Sequence, residues 1–167
     1  MSTIRKESVI NTVAAMCDII IENEVPFCEL DSVAGDGDFG MSLAKGFKQV
    51  KAEWNDLETD DIGAFLKSCG MIITEHCGGA SGPIWGSAFR GMGKYAQDKS
   101  ELSLAELGEM LQSAIDAIQK RGGAKLGDQP GFAECFLPDG KAPKAGEVFR
   151  SEAHARTLEQ IAATKGE

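Results

Sequence analysis

Leu30-Asp31-Ser32-Val33-Ala34-Gly35-Asp36-Gly37-Asp38-Phe39-Gly40 is the stretch on which the reading turns. It sets three carboxylates, at positions 31, 36 and 38, among small residues and glycines. Glycine lets the backbone double back, so acidic side chains five and seven residues apart can converge on one point. Three carboxylates so placed repel one another, and a hard divalent cation removes the penalty. An oxygen-only ligand set points to Mg²⁺ or Ca²⁺ rather than zinc. An EF-hand does not fit, because position twelve of such a loop, which needs a bidentate Glu, is Phe47 counted from Asp36 and Ser42 counted from Asp31. The plain alternative is an acidic surface turn in an acidic chain.

Helical patterns flank the turn. Upstream, Ile4, Val9, Ile10, Val13, Cys17 and Ile20 recur at helical spacing, which predicts a helix from about Thr3 to Glu22, ended by Pro26. Downstream, Leu43, Phe47, Val50 and Trp54 predict a second helix opening near Gly40. The acidic turn therefore feeds a helix N-terminus, where backbone amides favour anions. A third helix is expected over Ile62, Phe65, Leu66, Cys69, Ile72 and Ile73, with Thr59 or Asp60 as its N-cap.

That helix runs into a second informative stretch, Gly78-Gly79-Ala80-Ser81-Gly82-Pro83. Exposed amides, one hydroxyl and a proline suited to a first helical turn give it the makings of a phosphate cradle, with Ser81 as N-cap. No G-K-[ST] follows, so it is not a Walker loop, and a simple turn between helices is the plain reading. Two such turns, both opening helices, together suit a Mg²⁺–diphosphate ligand. The helix after it carries Ile84, Trp85, Ala88, Phe89 and Met92, and its glycines at 86, 91 and 93 allow close approach of a neighbour. Ser103 to Glu106 is a capping box for a fifth helix, whose inner face is Leu104, Leu107, Met110, Leu111, Ile115 and Ile118. No strand pattern appears up to Gly123, so the class is all-α.

The totals narrow the function. The 167 residues are 43% hydrophobic and 26% charged, the balance of one globular domain. A net charge of −9 argues against nucleic acid as a partner. Five cysteines without a C-x-x-C pair read as thiols of a reducing cytoplasm, and no apolar run is long enough for a membrane span. His76 and His154 stand far apart in sequence, and no Ser-His-Asp or Cys-His arrangement is legible. No catalytic side chain is assigned.

In order and separation, Leu30-Asp31 with Gly35 to Gly40, then Gly46-Phe47, then Gly78 to Pro83, resembles the L subunit of dihydroxyacetone kinases. The resemblance continues through Arg121-Gly122 and Gly127-Asp128, about three quarters of the chain. It implies an antiparallel barrel of eight helices that holds ADP or ATP through Mg²⁺ at one end. Asp31, Asp36 and Asp38 would be metal ligands, while Phe39, Gly40, Met41, Ser42, Gly79, Ala80, Ser81 and Gly122 would line the nucleotide. The implied partners are a K subunit that holds dihydroxyacetone and, in phosphotransferase-linked systems, a phosphohistidine-bearing M subunit. A homodimer is a further candidate assembly.

Departures from the family pattern concentrate at the C-terminal end. Phe39 stands where bacterial L subunits often carry His, and Ser42 where Asn is common. After Gly127-Asp128 the expected Lys-Thr and long helix are replaced by a Pro/Gly-rich segment from Gln129. Thr157 to Gly166 again looks like a later helix of the family, but the family's last nucleotide-contacting loop is absent. The expectation is thus a nucleotide-binding domain over 1–128 and, within the same domain, a divergent, poorly packed segment over 129–167, as a shifted reading frame or truncation would produce. The rival function is a regulatory or interaction module that keeps the fold without turnover, and a non-kinase Mg²⁺- or Ca²⁺-binding protein comes third.

Overall fold

Six α-helices and two three-residue strands account for the regular structure of the described residues. The computed structural model describes residues 3–126, together with Arg156 and Ala163 in helical conformation, and side-chain surroundings through Arg121. The order is β1 (Thr3–Arg5), α1 (Lys6–Glu22), α2 (Glu24–Asp31), α3 (Phe39–Ala52), a 3₁₀ turn (Trp54–Asp56), α4 (Ile62–His76), α5 (Ser81–Tyr95), β2 (Glu101–Ser103) and α6 (Leu104–Leu126). The chain divides into two compact units, residues 1–121 and 122–167. The expectations for 129–167 fall outside the described residues, Arg156 and Ala163 apart.

The all-α class is as expected, and the core of the first unit follows the predicted periodicities. Val9, Val13, Cys17 and Ile20 of α1, Leu43, Phe47 and Val50 of α3, and Ile62, Phe65, Leu66, Cys69 and Ile73 of α4 are buried together. Aromatic edges lock this cluster: Phe47 meets Phe89 at 6.1 Å and Trp85 at 6.3 Å between ring centroids, and Trp54 meets Phe65 at 5.8 Å. Burial pushes the Cys17 thiol up to about 11 and that of Cys69 to about 12, which leaves both as inert apolar filling.

Helices α4 and α5 pack antiparallel. Along α4 and α5, Gly63 lies against Gly93 and Gln97, Gly70 against Phe89 and Arg90, and Gly86 against Thr74. A Cβ on Gly86 would fall on the Thr74 hydroxyl, and one on Gly91 would lie 2.5 Å from the Ser113 carbonyl oxygen. These glycines are the close approaches that their sequence positions allowed. The pairs Gly46–Cys77 and Trp54–Phe65 show that α3 and α4 are likewise antiparallel.

Local differences from the sequence reading have identifiable causes. Residues 3–5 form a strand instead of the first helical turn, because they pair antiparallel with 101–103, Ile4 opposite Leu102. Pro26 does not end a helix: it is the third residue of α2, where its missing N–H costs nothing. The N-cap of α4 is Asp61, which accepts the Ala64 amide at 2.8 Å, not Thr59 or Asp60. The capping box forms as read: the Ser103 amide and hydroxyl donate to Glu106 Oε2 at 2.8 and 2.9 Å, and the Glu106 amide returns to Ser103 Oγ at 3.2 Å. Lys99, then the Ser103 donors, hold the Glu106 carboxyl down to about 2. The predicted inner face of the fifth helix is only partly covered: Met110 is buried, whereas Leu104, Leu111 and Ile115 are exposed.

Candidate functional site

Antiparallel packing brings the end of α2, the start of α3, the end of α4 and the start of α5 to one end of the bundle, and both glycine-containing turns lie there. The acidic turn is built from its own side chains. Asp31, in the last position of α2, accepts the Gly37 amide on Oδ2 at 2.9 Å and the Phe39 amide on the same oxygen at 3.4 Å. Gly37 has φ of 77°, the left-handed conformation that glycine adopts without strain. Gly35 runs so close to Asp31 that a Cβ there would collide with its carboxylate. The loop thus closes over Asp31 and turns Asp36 and Asp38 toward it.

One oxygen from each of Asp31, Asp36 and Asp38 lies within 4.8 Å of the other two. Asp31 is half-buried, and Asp36 and Asp38 are exposed. None of the three forms an ion pair among the described residues. Two unit charges at that separation repel by about 1 kcal/mol in water and ~3–4 kcal/mol at an effective dielectric of 20. A hard cation would offset that repulsion, and three carboxylates with open solvent positions suit one that keeps water or phosphate oxygens in its shell. Exposed acidic turns also occur without an ion, so the geometry is permissive by itself.

The glycine turn is joined directly to the helix that the acidic turn opens. The Ser42 amide donates to the Asp38 carbonyl at 2.8 Å, and the Gly78 amide donates to the Ser42 carbonyl at 3.2 Å. Gly78 approaches so closely that a Cβ would lie 2.8 Å from Ser42 Oγ. Gly79 has φ of 52° and faces open space, and neither its amide nor that of Ala80 donates a hydrogen bond among the described residues. The expected N-cap role of Ser81 does not hold: α5 begins at Ser81 itself, Ala80 occupies the cap position, and the Ser81 amide donates to the Gly78 carbonyl at 3.2 Å. Ser81 is buried. Two free amides at the N-terminus of a 15-residue helix form an anion-favouring corner beside the aspartates.

Phe39, Gly40, Met41 and Ser42 occupy the first turn of α3 in different ways. The Phe39 ring packs on Phe27 at 6.1 Å and, with Leu43, Trp85 and Ile20, lines an open apolar cavity of about 540 Å³. Gly40 is buried where α3 crosses α2, and a Cβ there would fall on the Glu24 carbonyl oxygen. Met41 is exposed, and Ser42 is half-buried against Gly78. Gly122 falls in the last turns of α6, within the second unit. Sequence reasoning missed Cys28, whose sulfur accepts the Met41 amide at 3.3 Å and so ties α2 to the start of α3. Its place three residues before Asp31 puts both on one face of a helix, a signal legible only once 24–31 is taken as helical.

With both turns in place, comparison with known proteins decides the family. The profile of the DAK2 domain matches residues 33–129, more than half of the chain. The chain belongs to the DAK2 domain family. It is 41% identical over 122 residues to the ADP-binding subunit DhaL of PEP-dependent dihydroxyacetone kinase 2 from Listeria innocua, covering 71% of this chain and 56% of that one. It is 31% identical over 127 residues to the ADP-binding subunit DhaL of PEP-dependent dihydroxyacetone kinase from Escherichia coli, covering 76% and 60%. An L-erythrulose 1-kinase of Mycolicibacterium smegmatis is 30% identical over 124 residues, 73% of this chain and 21% of that protein. The chain therefore spans little more than half the length of the DhaL subunits it matches. A second profile, gamma-glutamyltranspeptidase, matches residues 99–167, under half of the chain. It takes in the Pro/Gly-rich segment and Thr157 to Gly166, past the end of the DAK2 match at 129. No helix among the described residues is long and apolar enough to cross a membrane.

Proposed function

We propose that residues 1–128 form the nucleotide-binding part of a dihydroxyacetone kinase L-type subunit, which binds ADP or ATP with Mg²⁺. The observation that carries this reading is the meeting of the two turns: three carboxylate oxygens within 4.8 Å, in the turn that opens a helix hydrogen-bonded to the Gly78–Ser81 corner. Asp31, Asp36 and Asp38 hold the metal, which supplies charge neutralisation at the phosphates. The Gly79 and Ala80 amides and the Ser81 hydroxyl orient the phosphate oxygens, while Phe39 to Ser42 complete the nucleotide wall. Such a subunit needs no nucleophile of its own, because phosphoryl transfer depends mainly on position and charge. The acceptor is dihydroxyacetone held on a partner K subunit, and the donor is either ATP or ADP recharged by a phosphohistidine subunit. Among the described residues, Cys17, Cys28, Cys69 and Cys77 form no disulfide with one another, in keeping with a reducing cytoplasm.

A second reading has its own support. The DAK2 match ends at 129, a different family profile covers the remainder, and the compact units divide at 121/122. We infer a junction between about 122 and 129, with a kinase-type domain before it and a segment of other affiliation after it. Such a chain, which spans little more than half the length of the DhaL subunits it matches, keeps the phosphate-binding end and serves as a binding or regulatory module. Titration calorimetry with ADP, with and without Mg²⁺, tests the nucleotide site that both readings share. Formation of dihydroxyacetone phosphate with an added K subunit, using ATP or the phosphotransferase donor, separates them. Binding without turnover supports the module, turnover supports the kinase, and absence of Mg²⁺-dependent binding overturns both.

A further inference from the structure

The apolar face that periodicity assigns to the inside of α6 is turned largely outward. Met110 and Ala114 are buried, and Ser113 and Ala117 lie against Gly91 of α5. On roughly the opposite side of the helix, Leu104, Leu111 and Ile115 are 66, 50 and 47% exposed. Between them Gly108 faces open space, and Ile118, half-buried, continues the row. These five residues follow one another at steps of four, three, four and three, the alternation of a two-stranded helical seam. They fall within about 80° of the helix circumference and run about 21 Å along it. Single exposed leucines need no explanation, but a continuous stripe marks a surface made to be covered.

Size and charge select what covers it. Under a two-fold axis at Leu111, an antiparallel copy of the stripe sets Leu104 against Ile118 of the other copy and Leu111 against its counterpart. Ile115 of each copy then enters the gap left by Gly108 of the other, so the surface complements itself. The charges follow the same symmetry: Glu101 stands ten residues before Leu111 and Arg121 ten after it, with Lys120 beside Arg121. The axis thus brings Arg121 of each copy near Glu101 of the other, whereas a parallel pair would bring like charges together. Neither Glu101 nor Arg121 enters an ion pair among the described residues, and Arg121 Nε is the one buried polar atom there without a hydrogen-bond partner. A guanidinium in that state gains from a carboxylate supplied from outside. The open margin of the stripe, Ala105, Gln112 and Gln119, is uncharged, so a chain of net charge −9 can meet its copy here without local repulsion.

We propose that the outer face of α6 is a dimerisation surface, on which a second copy of this chain packs its own α6 antiparallel, with the two-fold axis at Leu111. One helix pair buries less than a standard interface, so the dimer is weak, with a Kd of roughly 10–100 µM. Sedimentation equilibrium of the full chain across that range should show monomer and dimer exchanging. Leu111→Glu sets two carboxylates together at the axis and should raise the Kd about 100-fold, and Leu111→Lys should act alike. An equimolar mixture of these two variants should pair again within about ten-fold of the original affinity, because opposite charges then meet across the axis. Gly108→Leu meets nothing within the monomer but fills the gap that Ile115 needs, and should weaken the dimer about ten-fold. A monomer throughout the range, a dimer that survives Leu111→Glu, or failure of the mixed variants to pair overturns the proposal. Unchanged circular dichroism of each variant ties a loss of association to this surface rather than to folding.

Discussion

The acidic turn and the glycine turn meet at one end of the bundle but are held by opposite means. The first is closed by a side chain: Asp31 gathers the Gly37 and Phe39 amides, and the rest of the loop is exposed. The second is held by backbone and lack of volume: Gly78 donates to the Ser42 carbonyl, and Gly82 sits where a Cβ would lie 2.8 Å from the Cys77 carbonyl oxygen. One turn therefore depends on which polar groups it carries, the other on how little space it fills. The first should fail by loss of atoms and the second by their addition.

The largest effect is expected at Asp31, which serves the loop and the proposed metal together. Asp31→Ala should lower Mg²⁺-dependent ADP affinity at least ~100-fold, about 2.7 kcal/mol, and cost about 1 kcal/mol of stability through the lost amide acceptor. Asp36→Ala and Asp38→Ala should lose affinity without the stability cost. Calorimetry and thermal unfolding read the two quantities separately. Equal stability losses for all three would show that Asp31 does not close the loop.

Next comes Gly40→Ala, which adds volume at the α2–α3 crossing that positions both turns. The new methyl meets the Glu24 carbonyl and lies 2.8 Å from the Cys28 amide nitrogen, backbone that cannot step aside. A loss of about 2–3 kcal/mol is expected despite the helix propensity gained. Circular dichroism melting checks it, and an unchanged midpoint would mean that the crossing is looser than described.

Gly79→Ala tests the other turn at its one open position. Nothing lies within 4 Å of the added Cβ, so only the left-handed backbone opposes it, by about 1–2 kcal/mol. A loss well above that, read in the same melting experiment, would reveal a steric constraint in the turn. The smallest effect is expected for Ser81→Ala, a drop in ADP affinity of about three-fold through one hydroxyl. Loss of all affinity on Ser81→Ala would reverse the assignment of the amides as the main phosphate contacts.

Much of this end of the molecule was legible before any coordinates. The convergence of Asp31, Asp36 and Asp38 follows from spacing and from Gly35 and Gly37, since a loop this short leaves acidic side chains few other directions. The burial of the α1, α3 and α4 stripes follows from periodicity, as each helix has one apolar face to cover. The capping box at Ser103 needed only residues 103 to 106. Such features are local, with cause and effect lying within a few residues of each other.

What was not legible depends on segments distant in sequence. Thr3 to Arg5 reads as the start of a helix until 101–103 arrives to pair with it, because no three-residue run carries a strand period. Ser81 has the composition of an N-cap, but the turn's bond to Ser42 draws helix geometry one residue further toward Ala80. The sequence by itself determined the helical class, the core stripes and the acidic loop, since these arise from local spacing and the burial of one face. The tertiary structure alone decided that the two turns share an end of the bundle and that Cys28 ties α2 to α3. Each of these requires side chains brought together by antiparallel packing, which no local pattern encodes.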